Sequence, residues 1–357
     1  MIYLDNQATT PLAPEAREAM LPWLAGPDSS GFANPHSAHP PGRLAAAAVE
    51  IARARVAALL PAGGRVIFTS GATEALNLAI LGCGATRIAA SAIEHAAVIE
   101  PARLRDPAAV VLPVDAAGLI DPEVPLPAGI GLVCAMQVNN EIGTIQPVDR
   151  LAERARAAGA LFLCDAVQGS GKLAPPAGAD LIALSAHKLY GPKGIGALWV
   201  RDGVDLAPLV HGGGQEGGLR SGTLSPALCA GFGAAAELAR RRMDEDAAHL
   251  AALWQAARAA LPGFVLNGSA DRRWPGNLNI RREGLDVARL MSDLRDIAFS
   301  AGSACASGSG KPSYVLRAIG LTDNEARSSL RLGFGRYTRM TEVAEACTRI
   351  AAAADAQ

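Results

Sequence analysis

Lys188 is the residue whose type and setting most strongly suggest chemistry in this chain. The sequence contains only four lysines, Lys172, Lys188, Lys193 and Lys311, and arginine supplies nearly all of the remaining positive charge. A lysine amine can lose its proton and form a Schiff base, which a guanidinium cannot do. Lys188 follows an apolar run at 181–184, so it falls at the carboxyl end of a predicted strand. Open α/β sheets hold their ligands at that edge.

Polar side chains follow several other apolar runs as well. The residues in question are Thr73, His95, Asn140 and Asp165. Taken singly, each has an ordinary explanation as a cap, an ion-paired carboxylate or a buried hydrogen-bonded residue. Thr73, however, begins a predicted helix after a glycine, where free backbone N–H groups favour a phosphate. Since the carboxyl ends of parallel strands share one edge, we predict that these side chains converge with Lys188 on a single site.

The elements that position these residues are predicted from the alternation of short apolar runs and helical patterns. This alternation predicts an α/β fold with a mostly parallel sheet covered on both faces. The run at 196–200 follows a loop too short for a helical crossover, so it is predicted to lie antiparallel to the preceding strand. The other strand candidates are 65–69, 87–91, 110–114, 132–136, 161–164 and 181–184, and helices are predicted at 72–81, 148–158 and 226–261.

The sequence also predicts two domains. The large domain is expected to span residues 15–243. Residues 1–14 and 244–357 are expected to form a smaller α+β domain, reached through the long helix. This organisation agrees with the usual size of domains, because 357 residues exceed what a single core commonly holds.

The composition argues against several classes of protein. A net charge of −1 provides no field that would attract nucleic acid or an anionic membrane surface. The first residues show no basic-then-apolar signal, and no apolar run is long enough to span a bilayer, so a cytoplasmic location is expected. The six cysteines show no metal-ligand spacing and no metal is expected. Burial as small apolar side chains is predicted for Cys83, Cys134, Cys164 and Cys229.

Cys305 differs from the other cysteines in its surroundings. It lies in the run 300–310, which consists of small residues and includes three glycines. Such a run buries little apolar surface and is expected to be mobile. A cysteine there is predicted to reach into a cleft and to carry an atom out again, although a free thiol in a linker is the simpler alternative.

Taken together, the motifs resemble those of the cysteine desulfurases of the NifS/IscS type. These are class V members of the aminotransferase-like enzymes that use pyridoxal 5′-phosphate (PLP), and the resemblance implies their fold-type I transferase fold. The matching segments run nearly from end to end of the chain: 3–10, 34–37, 69–74, 94–95, 138–143, 165–168, 185–194, 220–223, 303–305 and Arg331.

The resemblance implies a role for each residue of the predicted site. Lys188 would bind PLP covalently, Asp165 would face the pyridine nitrogen and keep the ring an electron sink, and His95 would stack on the ring and move protons. Asn140 and Arg331 would hold the substrate carboxylate, for which a planar guanidinium is well suited. The implied cofactor-binding residues are Ala72, Thr73, His95, Asn140, Asp165, Gln168, Ser185, His187, Lys188 and, from the other subunit of a homodimer, Thr223.

The implied reaction converts L-cysteine to L-alanine and leaves the sulfur as a persulfide on Cys305. The acceptor would be an iron–sulfur scaffold or a thiolation enzyme, and the sequence does not decide between them. The alternatives are a selenocysteine lyase or another class V lyase or aminotransferase and, more remotely, a PLP-binding scaffold without catalysis. The chain departs from the family at Gln7, usually Asn, and at Gly217, commonly Arg. In housekeeping members a longer C-terminal tail helps dock the scaffold, and a different mode of docking is expected where such a tail does not follow the Arg331 motif.

Overall fold

The computed structural model describes residues 1–301 and 312–357, so that Cys305 lies outside the described residues. The strands are β1 (Ile2–Tyr3), β2 (Gly64–Thr69), β3 (Ile88–Ser91), β4 (Val110–Leu112), β5 (Leu132–Met136), β6 (Leu161–Asp165), β7 (Leu181–Ser185), β8 (Gly196–Arg201), β9 (Val265–Leu266), β10 (Asn277–Arg281), β11 (Ile297–Ala298), β12 (Ser300–Ala301) and β13 (Ser329–Gly333). The helices are α1 (Pro14–Met20), α2 (Pro40–Ala57), α3 (Ala72–Gly82), α4 (Ala96–Arg105), α5 (Val148–Ala157), α6 (Pro226–Ala260), α7 (Val287–Asp293), α8 (Tyr314–Ala318), α9 (Asp323–Arg327) and α10 (Met340–Asp355).

The large sheet has seven strands in the order β2-β8-β7-β6-β5-β3-β4. The strands from β7 through β4 pair in parallel, and β8 is antiparallel to both of its neighbours. This confirms the mostly parallel sheet and the antiparallel strand predicted at 196–200. The pairing of β8 with β2 was not foreseen from the sequence.

Helices cover both faces of this sheet, which is why its strands read as continuous apolar runs. Along β2, Val66 and Phe68 belong to the core beneath α2, α5 and α6, whereas Ile67 belongs to the core beneath α3 and α4. This alternation follows from the two-residue period of a strand, which sends successive side chains to opposite faces.

A second, smaller sheet forms around the C-terminal part of the chain. Its order is β12-β13-β10-β9, and its strand pairs are antiparallel. Strand β1 pairs in parallel with β11, so the N-terminal residues lie beside this part of the fold. Helix α6 contributes Phe232 to the core of the large sheet and Leu253 to the core of the small one. The division into domains at residues 15–243 stays a prediction.

The structure corrects a few local predictions. The strand predicted at 110–114 ends at Leu112, because Pro113 has no N–H to donate to a ladder. Strand β6 extends by one residue, so Asp165 is its last residue and does not follow it. The prediction that Cys83 is buried was wrong: it is only partly buried, since it caps the C-terminal end of α3.

Candidate active site

A cavity of about 570 Å³ opens at the carboxyl edge of the large sheet. The predicted convergence of the polar residues at the strand ends is confirmed, because these residues line this one cavity. Thr223 does not line this cavity and is exposed on its own chain. The predicted site residues that line it are Ala72, Thr73, His95, Asn140, Asp165, Gln168, Ser185, His187, Lys188 and Arg331.

Lys188 is the last residue of a single 3-10 turn, Ala186–Lys188, that begins where the buried strand β7 ends. Its amine donates hydrogen bonds to the carbonyl oxygen of Ala8, at 2.9 Å, and to that of Gln7. The N-terminal segment also fixes the turn itself, because the Thr10 hydroxyl donates to the His187 carbonyl at 2.9 Å. The sequence did not predict that these N-terminal carbonyls would accept hydrogen bonds from Lys188. The only signal was that Gln7 and Ala8 belong to the matching segment 3–10.

Asp165 presents a buried carboxylate to the cavity, with 6% of the residue exposed. Its Oδ1 accepts a hydrogen bond from the Val167 backbone N–H at 3.0 Å. Burial raises the pKa of Asp165, and the Val167 bond and the charges of His95 and Lys188 oppose that rise. Among the described residues Asp165 forms no ion pair, so a protonated ring nitrogen is the kind of partner that its position favours.

The first turn of α3 forms one wall of the cavity. Ser70, Gly71, Ala72 and Thr73 line the cavity there, where the helix directs its backbone N–H groups outward. The nearby Glu74 carboxylate would repel an anion. Arg220, however, pairs with it at 2.7 Å and, together with Ser70, lowers the pKa of Glu74 despite burial, which acts in the opposite direction.

Positive charge surrounds the same end of the cavity. Lys188 and Lys193 both line it. His187 lies among them, and burial together with the neighbouring lysines lowers its pKa to about 4. The imidazole is therefore neutral near pH 7, and its Nδ1 lies 3.1 Å from the Thr9 hydroxyl. A helix N-terminus beside two lysines is suited to a phosphate group.

Arg331 lines the cavity from β13 and is almost fully buried. Its Nη2 donates to Asp5 Oδ1 at 2.7 Å, and its Nη1 donates to the backbone carbonyl of Asn140 at 2.9 Å. Its Nε has no hydrogen-bond partner within residues 1–301 and 312–357. The guanidinium is thus held in place by the protein while one buried donor remains available to a ligand.

The donor set of the cavity fits PLP. The phosphate would be bound by the first turn of α3 with Ser185 and His187, and the ring nitrogen would face Asp165. A second observation agrees with this, because Gln168 lines the cavity and its buried Oε1 has no partner in the part of the chain that the structure describes. A polar group of the ligand would satisfy it.

Comparison with known proteins assigns this site to a family. The profile described as Aminotransferase class-V matches residues 2–345. The chain belongs to this family. Among curated relatives, "Cysteine desulfurase IscS" of Rickettsia bellii is 42% identical over 96% of this chain and 88% of its own length. "Cysteine desulfurase, mitochondrial" of Drosophila melanogaster is also 42% identical, over 96% of this chain and 78% of its own length.

Solved structures extend the similarity to three dimensions. A NifS-like protein superposes with a TM-score of 0.90 over 100% of both chains, at 30% identity. The structure described as SspA in complex with cysteine superposes with a TM-score of 0.82, at 35% identity, over 95% of this chain and 100% of its own. The family and its cysteine desulfurase members depend on PLP, in agreement with the cavity's donor set.

Other kinds of site are not found in the described ranges 1–301 and 312–357. No helix there is long and apolar enough to cross a membrane. Nor do three or more His, Cys, Asp or Glu side chains come together there in a group that could hold a metal ion.

Glu94 is a site-adjacent residue whose role the sequence did not reveal. It is fully buried next to His95, and its Oε1 accepts from the Met136 backbone N–H at 2.7 Å, while its Oε2 has no partner among the described residues. Burial, and then the charge of Asp165, raise the pKa of Glu94 well above its ordinary value. The raised pKa favours the neutral form of Glu94, which adds no second negative charge beside Asp165.

Glu94→Gln is accordingly expected to become more stable relative to the wild type as the pH rises. The folded wild type keeps a proton that the unfolded chain releases above about pH 4.3, so its free energy of unfolding falls with increasing pH up to the folded pKa. Glutamine cannot ionise and still offers an oxygen to Met136. Above about pH 5, and until the folded pKa is reached, the difference should grow by up to about 1.4 kcal/mol for each pH unit. Denaturant unfolding of both proteins measures it, and a difference independent of pH would contradict a raised pKa of Glu94.

Proposed function

We propose that this protein is a PLP-dependent cysteine desulfurase that converts L-cysteine to L-alanine and passes the sulfur to an acceptor. The observation that carries the proposal is the convergence of Lys188, Asp165 and Arg331 on one cavity. Its support is the identity of about 42% with cysteine desulfurases over 96% of the chain.

Each residue has a task that its surroundings favour. Lys188 would hold the cofactor and move the α-proton of the substrate, since its amine lies at the cavity and is held by two carbonyls of the N-terminal segment. Asp165 would keep the ring nitrogen protonated, and His95 would move protons near the substrate sulfur. PLP, when bound, supplies an electron sink for the carbon attached to the amine.

Substrate binding is assigned to Arg331 and Asn140. The Nε of Arg331, which has no partner among the residues that the structure describes, offers a charged donor to the carboxylate of cysteine, and Asn140 lines the same cavity. The related protein SspA has been solved in complex with cysteine, which agrees with an amino acid of this size as the ligand.

Arg331→Lys should raise the KM for L-cysteine roughly 10- to 100-fold. Lysine keeps the charge but loses the planar fork, and hydrogen bonds to charged groups contribute about 1.5–3 kcal/mol. The absorbance of the bound cofactor should change little. Steady-state kinetics measures the effect, with Arg282→Lys as the control. Arg282 forms a partly exposed ion pair with Asp355 away from the cavity. An unaltered KM would remove Arg331 from the substrate site.

Cys305 is proposed to take the sulfur of cysteine as a persulfide. Its thiolate would attack the substrate sulfur, so that the new S–S bond forms as the C–S bond breaks, and the remaining carbon would be protonated to give alanine. The acceptor that removes this sulfur is proposed to be an iron–sulfur scaffold or a thiolation enzyme of the cytoplasm.

A homodimer is part of the same proposal. Thr223 is exposed and lies outside the cavity of its own chain, as expected of a residue that completes the phosphate site of a partner. Large apolar side chains are exposed on α2, where Leu44 and Ile51 are 59% and 55% accessible. Light scattering should therefore give a mass twice that of one chain.

The experiment that tests the function is a product analysis of the PLP-loaded protein. L-cysteine should yield equimolar L-alanine and, with a thiol reductant present, sulfide. A protein that released alanine only from selenocysteine would instead be a selenocysteine lyase. The absence of alanine from both substrates would refute the proposal.

A further inference from the structure

Glu141 occupies an unusual place in the loop that follows β5. The residue is 2% exposed, and its backbone N–H donates to the side chain of Asn139 at 2.9 Å. Its neighbour Asn140 lines the cavity, but Glu141 does not. Glu141 is therefore linked to the site through the loop that carries Asn140.

The carboxylate of Glu141 reaches the start of α8. The Ser313 hydroxyl donates to Glu141 Oε2, and the same hydroxyl accepts from the Leu316 N–H at 3.2 Å as the N-cap of that helix. The next residue, Tyr314, donates its hydroxyl to the carbonyl of Glu94. The residues at the start of α8 thus contact two loops that carry cavity residues, one with Asn140 and the other with His95.

The carbonyl of Glu141 is held from another direction. Asn277 and Asn279 of β10 both donate their side-chain amides to it, each at 3.0 Å. Asn279 lies opposite Arg331 in the register of β10 and β13, and Arg331 in turn donates to the carbonyl of Asn140. The two consecutive carbonyls are therefore fixed by the small sheet that carries Arg331.

These contacts place Glu141 at the junction of three elements: the loop with Asn140, the strand pair with Arg331, and helix α8. We infer that Glu141 is a positioning residue that, through Ser313, holds Asn140 and Arg331 at the spacing required by the substrate carboxylate. This inference deepens the proposed function and rests on it. Misplaced Asn140 and Arg331 side chains weaken binding of the substrate carboxylate, whereas the cofactor would also be held by Lys188, Asp165 and the first turn of α3.

Glu141→Ala and Ser313→Ala should each raise the KM for L-cysteine about tenfold, as expected when a hydrogen bond to a charged group is lost. Their kcat values and cofactor absorbance should change less than KM. The double variant should be no worse than the more affected single variant, because both remove one interaction. Glu141→Gln keeps an acceptor for Ser313 and should have a KM closer to that of the wild type.

The matched control is Thr322→Ala. Thr322 is the N-cap of the neighbouring helix α9 and accepts from the Glu325 N–H at 3.3 Å, and it does not line the cavity. This variant should lower the melting temperature as Ser313→Ala does, without changing KM.

An unchanged KM in Glu141→Ala and Ser313→Ala would overturn the inference, as would additive effects in the double variant. The wild type is assayed first for alanine. If it forms none, the proposed function fails; if it does and the variants keep its KM, only the positioning role fails.

Discussion

Lys188→Ala is expected to abolish the formation of L-alanine from L-cysteine, with a loss of at least about 10³-fold. The reason is that the substitution removes both the covalent attachment of the cofactor and the amine that moves the α-proton, and proton transfer alone contributes typically 10²–10⁴-fold. PLP should remain bound without a covalent bond, since Asp165 and the first turn of α3 are unaffected. Alanine quantification and the absorbance of the bound cofactor measure the two effects.

The same variant offers a chemical control. Added methylamine should restore part of the rate, because a small amine can enter the space left by the side chain and accept the proton. If the Lys188→Ala variant kept more than a tenth of the wild-type rate, the assignment of Lys188 as the cofactor-binding and proton-transferring lysine would be contradicted.

Cys305→Ser is expected to reduce alanine production from cysteine by about 100-fold or more, the size of effect typical of a lost catalytic group. Serine keeps the size of the side chain, but its oxygen cannot form a persulfide. The change in cofactor absorbance on adding cysteine should persist, because the residues proposed to bind substrate are intact. Turnover of selenocysteine is a separate readout, since selenium leaves more readily than sulfur.

The other cysteines should not replace Cys305. Burial raises the pKa of Cys134 and Cys164 well above the ordinary value, and it raises the pKa of Cys229 and Cys347 to about 12. Their thiolates, which are the nucleophilic form, are therefore almost absent near neutral pH. Cys83→Ser is the matched control and should retain full activity. Undiminished alanine formation in Cys305→Ser would refute the persulfide mechanism.

The large sheet and its active edge were predictable because their signals are local. Runs such as 132–136 and 181–184 are apolar throughout, and a polar residue follows or ends each run, so strand, burial and site edge follow from the same few residues. The antiparallel direction of β8 followed likewise from the short loop before it.

Contacts between distant parts of the chain were not predictable. The amine of Lys188 binds carbonyls 180 and 181 residues away, and Ser313 binds Glu141 across 172 residues. The sequence around a backbone carbonyl or a serine hydroxyl does not predict which distant residue it will hydrogen-bond. The burial of Glu94 was hidden for a related reason: a glutamate beside a histidine gives no indication that its pKa is raised until its surroundings are known.

The central claim is that the cavity at the sheet edge holds PLP on Lys188, and borohydride reduction of the purified PLP-loaded protein tests it most directly. Reduction makes the bond between cofactor and amine permanent, and mass spectrometry of the peptides then locates it. The strongest competing amine is Lys172, whose pKa is lowered to about 7 by burial and by Lys188, and which lines a different cavity. We expect the label to lie on the peptide containing Lys188. A label on Lys172, Lys193 or Lys311 would contradict it.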